Sequence, residues 1–120
     1  MANFLNANVL NVGAVNFINH WTNEATLTLI RRRRHYNERF RTEENNALWH
    51  RIAVQIGTIN NFVVTGNQCK SKWNNLKRGY ENLKRILDGN PDGYPVHSPN
   101  HYDEQFYGEL ADEFWINNSN

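Results

Sequence analysis

The longest regular pattern of apolar positions in this chain runs from Cys69 to Leu87. Apolar residues recur there at intervals of four, three, four, three and four: Cys69, Trp73, Leu76, Tyr80, Leu83 and Leu87. Such spacing places them all on one side of an α-helix. Thr65 stands where an N-cap belongs, and Asp88-Gly89 stands where the helix should end. The pattern predicts a helix about 33 Å long, at ~1.5 Å per residue, whose apolar stripe is buried.

Two further helices are predicted before this one. The first spans about 23–39, with Thr22 as its cap and Glu24 in its first turn, where the helix dipole favours an anion. The second spans about 44–57 and is expected to end at Gly57. Its inner face consists of five apolar residues: Leu48, Trp49, Ile52, Ala53 and Ile56. Between the second and third helices we expect a short turn.

That turn, residues 58–65, has the sequence TINNFVVT. Phe62 and either Val63 or Val64 are available to enter the core, and both alternatives fit the sequence. A strand in this stretch would have no evident partner, so the turn is the preferred interpretation.

The chain changes character after the long helix. Residues 89–100 contain glycines and three prolines, which exclude a helix and predict an ordered loop. A helical pattern resumes over 102–115, with Phe106, Leu110 and either Tyr107 or Phe114 on one side. The other side carries the acids Asp103, Glu104, Glu109, Asp112 and Glu113. The sequence therefore predicts an all-α fold, a three-helix helix-turn-helix bundle with an extended third helix and an additional C-terminal amphipathic helix.

The two ends of the chain carry no such pattern. Residues 1–19 are rich in Asn, Val, Phe and Leu and contain no Lys or Arg, which predicts a flexible arm and not a signal peptide. Residues 116–120 are expected to be a frayed tail, which leaves 20–115 as the domain. No apolar run approaches the ~20 residues that span a bilayer, so no membrane segment is expected.

Charge is strongly segregated along the chain although the formal net charge is only +1. Residues 1–65 carry a net charge of +3. Residues 66–87 carry six Lys or Arg and one acid, and residues 88–120 carry seven acids and no Lys or Arg. Because a polyanion responds to the local field, the long basic helix is the candidate contact for nucleic acid.

Four consecutive arginines, Arg31 to Arg34, wrap around the first predicted helix. One interpretation is a solvated run that is partly paired with Glu24, Glu38 and Glu43. The other is a patch for phosphate contact or nuclear import. Both interpretations fit the sequence.

These elements together resemble the Myb/SANT-like DNA-binding domain, and within it the trihelix (GT-factor) type. The resemblance covers residues 20 to about 115. Three helices each bring a tryptophan to the predicted core: Trp21, Trp49 and Trp73. The matching pieces are Trp21-Thr22-x-Glu24-Ala25-x-x-x-Leu29-Ile30, Phe40, Leu48-Trp49-x-x-Ile52-Ala53, Gly66-x-Gln68-Cys69-x-x-Lys72-Trp73-x-x-Leu76-Lys77-x-x-Tyr80 and Phe106-Tyr107-x-x-Leu110.

The resemblance implies a nuclear protein that binds double-stranded DNA and reads the major groove with its third helix, in a transcription regulator or a transposon-derived protein. In the family the base-reading positions flank the third tryptophan, which here implies Lys70, Ser71, Asn74 and Asn75. Phosphate contacts are expected from six further bases: Lys72, Lys77, Arg78, Arg31, Arg32 and Arg34.

A second function stays open, because SANT-like domains also act as protein-interaction modules in chromatin or regulatory complexes. The apolar N-terminal arm or the acidic C-terminal helix would then contact protein partners. With no dimer zipper evident, a monomer is the default expectation.

An enzyme is not expected from this sequence. The five histidines are scattered, and His97 and His101 straddle Pro99 with no set of ligands that would complete a zinc site. Cys69 lies on the apolar stripe with no base beside it, which predicts a buried structural thiol in a reducing compartment. No catalytic residue, metal or cofactor is therefore assigned.

Overall fold

The computed structural model describes residues 20–116, and its regular secondary structure over that range is all α-helix. This confirms the predicted fold class. The helices are α1 (Asn23–His35), α2 (Asn37–Phe40), α3 (Asn45–Asn60), α4 (Gly66–Leu87) and α5 (His101–Leu110). The predicted arm at 1–19 and the tail beyond residue 116 lie outside the described residues.

The first predicted helix is divided in two at Tyr36. Its N-terminus is capped as expected, since Thr22 Oγ1 accepts a 3.0 Å hydrogen bond from the backbone N–H of Ala25. The break coincides with burial of the Tyr36 ring, whose hydroxyl accepts a 2.7 Å hydrogen bond from Gln55 on α3. The prediction of one continuous helix over 23–39 is therefore wrong at Tyr36, where a tertiary contact accompanies the break.

Helix α3 continues past the position where the sequence predicts its end. Gly57 stays helical, and Asn61 instead takes the left-handed conformation, with φ of 52°, that ends the helix. Of the two valines that follow, Val64 packs against the core and Val63 is 90% exposed. Phe62 also packs there, with its ring 5.1 Å from that of Trp21.

Helix α4 begins with a reciprocal capping box. Thr65 Oγ1 accepts from the backbone N–H of Gln68 at 3.1 Å, and Gln68 Oε1 accepts from the backbone N–H of Thr65 at 2.9 Å. Its apolar stripe is buried as far as Leu83. Leu87 is 62% exposed, so the prediction of a fully buried stripe is wrong at its last position, where the packed helices no longer cover it.

The core lies where α1, α3 and α4 meet. Trp21, Trp49 and Trp73 are all buried in it. Helices α3 and α4 approach closely at Gly66, where a β-carbon would lie 3.0 Å from the backbone nitrogen of His50. The missing side chain at Gly66 thus permits the crossing that fixes α4 against α3.

Helix α5 packs on α4 through Phe106 and Leu110, both buried. It ends at Leu110, short of the predicted Trp115, and residues 111–116 form turns instead. This C-terminal segment (residues 111–116) folds back over the core. Phe114 stacks on Trp73 with ring centroids 5.5 Å apart, and Trp115 makes edge contacts with Trp73 and Tyr80. Burial of these rings gives the segment its shape.

Candidate nucleic-acid interface

One side of α4 faces away from the core over its first three turns. We call it the outer face of α4, and it consists of Asn67, Lys70, Ser71, Asn74, Asn75 and Arg78. All are exposed except Asn74, which is half-buried. The stretch from Gly66 to Tyr80 contains no acid at all. The buried stripe on the opposite side, anchored by Trp73, fixes the orientation of this face.

The four residues that the resemblance implies as base-reading lie together on the outer face. Lys70, Ser71, Asn74 and Asn75 fall within two turns of helix. Asn75 Oδ1 accepts a hydrogen bond from Arg78, so these two side chains form a pair. The Asn74 amide makes no hydrogen bond within residues 20–116, which leaves its donor and acceptor available for an external partner.

Two half-buried lysines flank the outer face on opposite sides. Lys72 lies on the α5 side, with its ammonium 5.3 Å from the ring centroid of Tyr102. Lys77 lies on the α1 side, 5.8 Å from the ring centroid of Trp73. Burial lowers the pKa of both ammonium groups, and for Lys77 the nearby Arg33 lowers it further. A nearby anion would offset this loss of hydration.

The four consecutive arginines have different environments. Arg34 donates to the carboxylate of Asp112 and, at 2.8 Å, to the backbone carbonyl of Glu109. The Arg33 guanidinium lies 4.1 Å from the ring centroid of Phe40, and burial lowers its pKa to about 10. These two arginines therefore brace the fold.

Arg31 is exposed and Arg32 half-buried, and neither forms an ion pair or side-chain hydrogen bond with another described residue. The carboxylates expected to pair with the arginine run bind later arginines instead. Glu43 pairs with Arg39 at 2.7 Å, and Glu38 pairs with Arg41 at 3.1 Å. The interpretation that Glu24, Glu38 and Glu43 pair with the arginine run is therefore wrong, since the run's one ion pair among the described residues is that of Arg34 with Asp112.

Two acids of the C-terminal segment neutralise bases that lie off the outer face. Asp112 binds Arg34, and Glu113 accepts hydrogen bonds from Tyr80 and Lys84. The hydrogen bond from Lys84 and, to a smaller extent, the one from Tyr80 lower the pKa of the Glu113 carboxyl. Neither acid forms an ion pair with a base of the outer face, but the carboxylate of Asp103 on α5 lies against Gly79 and acts on Lys72.

A cleft of about 570 Å³ adjoins the outer face, between the later turns of α4 and the residues that follow Tyr94. Asn82 and His97 both line it, and the Asn82 amide forms two hydrogen bonds to the backbone of His97. The sequence predicts an ordered loop here but does not reveal this attachment. The only sign of it in the sequence is Asn82 at an outward position of the predicted helix, and such an Asn is not part of any recognisable motif.

Several other chemistries find little support in the described part of the chain. Residues 20–116 contain no group of three or more His, Cys, Asp or Glu side chains that could hold a metal ion. Cys69 is buried, which raises its pKa to about 12. None of the described helices combines the length and apolar character needed to cross a membrane.

The comparisons with known proteins agree with this geometry. A family model described as a Myb/SANT-like DNA-binding domain matches residues 18–111, a range that contains all five helices. No curated protein and no solved structure shows a significant match to the chain. The family consists of DNA-binding, non-catalytic domains. Membership supports DNA as the partner and a regulatory role in the nucleus. The trihelix type stays a prediction. With its match over most of its length, the chain belongs to the Myb/SANT-like DNA-binding domain family.

Proposed function

We propose that this chain binds duplex DNA by placing the outer face of α4 in the major groove, within a nuclear transcription regulator or a transposon-derived DNA-binding protein. The observation that carries the proposal is the acid-free outer face, which projects bases and amides from a helix fixed by Trp73. Asp112 and Glu113 bind Arg34 and Lys84, and no base of the outer face forms an ion pair with another described residue.

The dimensions of the outer face support this placement. The major groove is about 12 Å wide and accepts one helix of about 10–12 Å diameter with its side chains. Asn side chains can pair bidentately with adenine, and Lys can donate to the acceptors of guanine. Lys70, Ser71, Asn74 and Asn75 are the proposed base-reading residues, of which Asn74 has the freest amide.

Phosphate contacts are proposed on both sides of the groove. Lys72 and Lys77 flank the outer face, so each would lie near one backbone when α4 is inserted. Arg78 continues the outer face toward the cleft, and Arg31 and Arg32 are candidates at α1. Arg34 is left out of the set because its guanidinium already binds Asp112 and Glu109.

The protein-interaction alternative has weaker support. It relied on the acidic C-terminal helix as a partner surface, but Phe106 and Leu110 bury the apolar side of that helix against α4. The apolar N-terminal arm, the other basis of this alternative, lies outside the described residues.

Selection of duplexes from a random pool, followed by a salt titration on the selected sequence, tests the proposal. Each neutralised phosphate contributes about −0.9 to the slope of log K against log salt, so affinity should fall steeply. Asn74→Ala should reduce the preference for the selected duplex over a random one by about five- to tenfold, or more. Absence of binding to selected and random duplexes alike at about 50 mM salt would refute DNA binding.

A further inference from the structure

Residues 94–98, which we call the anchored loop, lie against the later turns of α4. The Asn82 amide donates to the carbonyl of His97 at 2.8 Å and accepts from its backbone N–H at 2.9 Å. Arg85 lies 4.7 Å from the ring centroid of Tyr94. The loop thus contacts two residues of α4 that point away from the core, half-buried Asn82 and exposed Arg85, whereas it makes no such contact with the outer face up to Arg78.

Both ends of the anchored loop are fixed as well. Asn90 donates a 2.9 Å hydrogen bond to the carbonyl of Tyr94. At the other end Asn100 and Asp103 form the capping box of α5. Pro95 lies within the loop and Pro99 directly follows it, and each restricts the backbone. The loop is therefore held in place before any partner arrives, which lowers the entropic cost of using it.

The anchored loop limits how far α4 can enter a groove. The major groove has room for about one helix. From Asn82 onward α4 carries a second stretch of chain on its outward side, so this part is too thick to enter. With Lys70 to Arg78 inserted, the anchored loop comes to the edge of the groove, where the phosphates lie.

The chemistry of the loop suits such a position. The chain from Asp88 to its end carries seven acids, yet none lies between Asp92 and Asp103. His97 and Ser98 are exposed and line the cleft together with Arg78 and Arg85. The cleft also contains two carboxylates. That of Asp103 accepts from the backbone of Asn100, and that of Glu81 lies on α4 between the two arginines in sequence.

We infer that the anchored loop is a second DNA-contacting element, in which His97, Ser98 and Arg85 bind the phosphate backbone that flanks the sequence read by α4. This inference rests on the proposed function. It assigns the loop a contribution to affinity and to the length of duplex required, and none to the choice of bases.

The test combines a protein variant with a change in the DNA. The double variant His97→Ala/Ser98→Ala and the wild type are each titrated with a long duplex, extending about ten base pairs beyond the selected element on both sides. They are also titrated with duplexes trimmed to the element on one side or the other. The wild type should bind one of the trimmed duplexes about three- to tenfold more weakly than the long one, as expected for the loss of hydrogen bonding with the net strength of one ordinary hydrogen bond.

The double variant should bind the long duplex as weakly as the wild type binds the trimmed one. Its affinity should not fall further when the duplex is trimmed on that side. Asn82→Ala, which frees the loop, should give a similar loss that does not add to that of the double variant. Thr28→Ala/His35→Ala removes a hydroxyl and an imidazole from α1 and is the matched control, expected to bind as wild type. All variants should prefer the same bases.

The outcomes separate the two proposals. If the wild type binds no duplex, the proposed function itself fails and the inference fails with it. If the wild type binds and Lys77→Ala weakens binding, but the double variant binds both long and trimmed duplexes as the wild type does, only the role of the anchored loop is overturned.

Discussion

The hydroxyl of Tyr80 donates a 2.5 Å hydrogen bond to Oε2 of Glu113, which lies 33 residues later in the chain. Lys84 donates to the same oxygen from the next turn of α4. Glu113 has a φ of 51°, a conformation that is unfavourable for a residue other than glycine. The two hydrogen bonds hold it there, and through it they attach the C-terminal segment to α4.

Tyr80→Phe should lower the free energy of unfolding by about 1–2 kcal/mol, because it removes a hydrogen bond to a charged group while retaining the ring. Chemical denaturation measures the change. Tyr107 stacks on Tyr80 with ring centroids 5.0 Å apart and provides the control, since Tyr107→Phe keeps the stack and removes a hydroxyl with no hydrogen bond to another described residue. Equal effects of the two substitutions would show that the bond to Glu113 is not stabilising.

The hydrogen bond between Tyr80 and Glu113 should also make the stability of the fold depend on pH. In the folded protein the pKa of Glu113 is below its ordinary 4.5. Its contribution to the free energy of unfolding is therefore complete above pH 4.5 and is lost as pH falls through the pKa of the folded state. Burial and the bond to Glu113 raise the pKa of Tyr80, so its contribution is complete below pH 10 and is lost as pH rises through the folded value. Thermal unfolding from pH 3 to pH 8 should therefore show a steeper acid-side fall for wild type than for Glu113→Gln. Parallel curves would exclude Glu113 as the cause.

Removal of the C-terminal segment should destabilise the domain. A chain ending at Leu110 loses the contacts of Phe114 and Trp115 with Trp73, together with the partners of Arg34 and Lys84. We expect a loss of at least about 3 kcal/mol, in the range seen when large aromatic side chains are removed from a core. A chain ending at Ile116 keeps all of these contacts and should unfold as the full chain does. Equal stability of the two truncated chains would mean that the segment contributes nothing.

Two glycines in helical positions should respond oppositely to alanine. At Gly66 a β-carbon would meet backbone atoms of Trp49 and His50 at 3.0–3.1 Å, which cannot rotate away, so Gly66→Ala should cost about 1–3 kcal/mol. At Gly57 no atom lies within 4 Å of the added carbon, so Gly57→Ala should stabilise α3 by about 0.5–1 kcal/mol. Thermal unfolding of both variants checks the pair, and a stabilising Gly66→Ala would contradict the close approach of α3 and α4.

Two lysines of α4 should separate affinity from stability. Lys84 is bound to Glu113, so Lys84→Ala should lower the melting temperature slightly and leave DNA affinity unchanged. Lys77 flanks the outer face, so Lys77→Ala should weaken binding to all duplexes similarly and reduce the salt slope by about 0.9. Filter binding measures the DNA affinity of both variants, and thermal unfolding measures their stability. A loss of affinity for Lys84→Ala equal to that for Lys77→Ala would argue against the outer face as the contact.

The features that the sequence predicted correctly depend on short-range relations. The stripe of α4 and its cap at Thr65 need only residues three or four positions apart, and these contacts form within one helix. The three tryptophans also lie in the core. Trp49 and Trp73 stand on the apolar stripes of α3 and α4, whereas Trp21 precedes the N-cap of α1 and is not part of that helix. The implied base-reading residues fall on the exposed side for the same reason, although their role in binding stays a prediction.

The features that the sequence did not predict depend on partners far along the chain. The break at Tyr36 accompanies a hydrogen bond to Gln55, 19 residues later. The attachment of the anchored loop depends on Asn82 and His97, which are 15 residues apart. The early end of α5 follows from the packing of Phe114 and Trp115 on Trp73, which outweighs the helical spacing of the same residues. Local periodicity contains none of these relations.

The contact between Arg34 and Asp112 joins positions 78 residues apart, and it sets the order in which the domain can be completed during synthesis. Helices α1, α3 and α4 emerge from the ribosome before the C-terminal segment and can pack on one another in its absence. Until that segment docks, the rings of Trp73 and Tyr80 lack their cover of Phe114 and Trp115, so the incomplete domain exposes an aromatic surface.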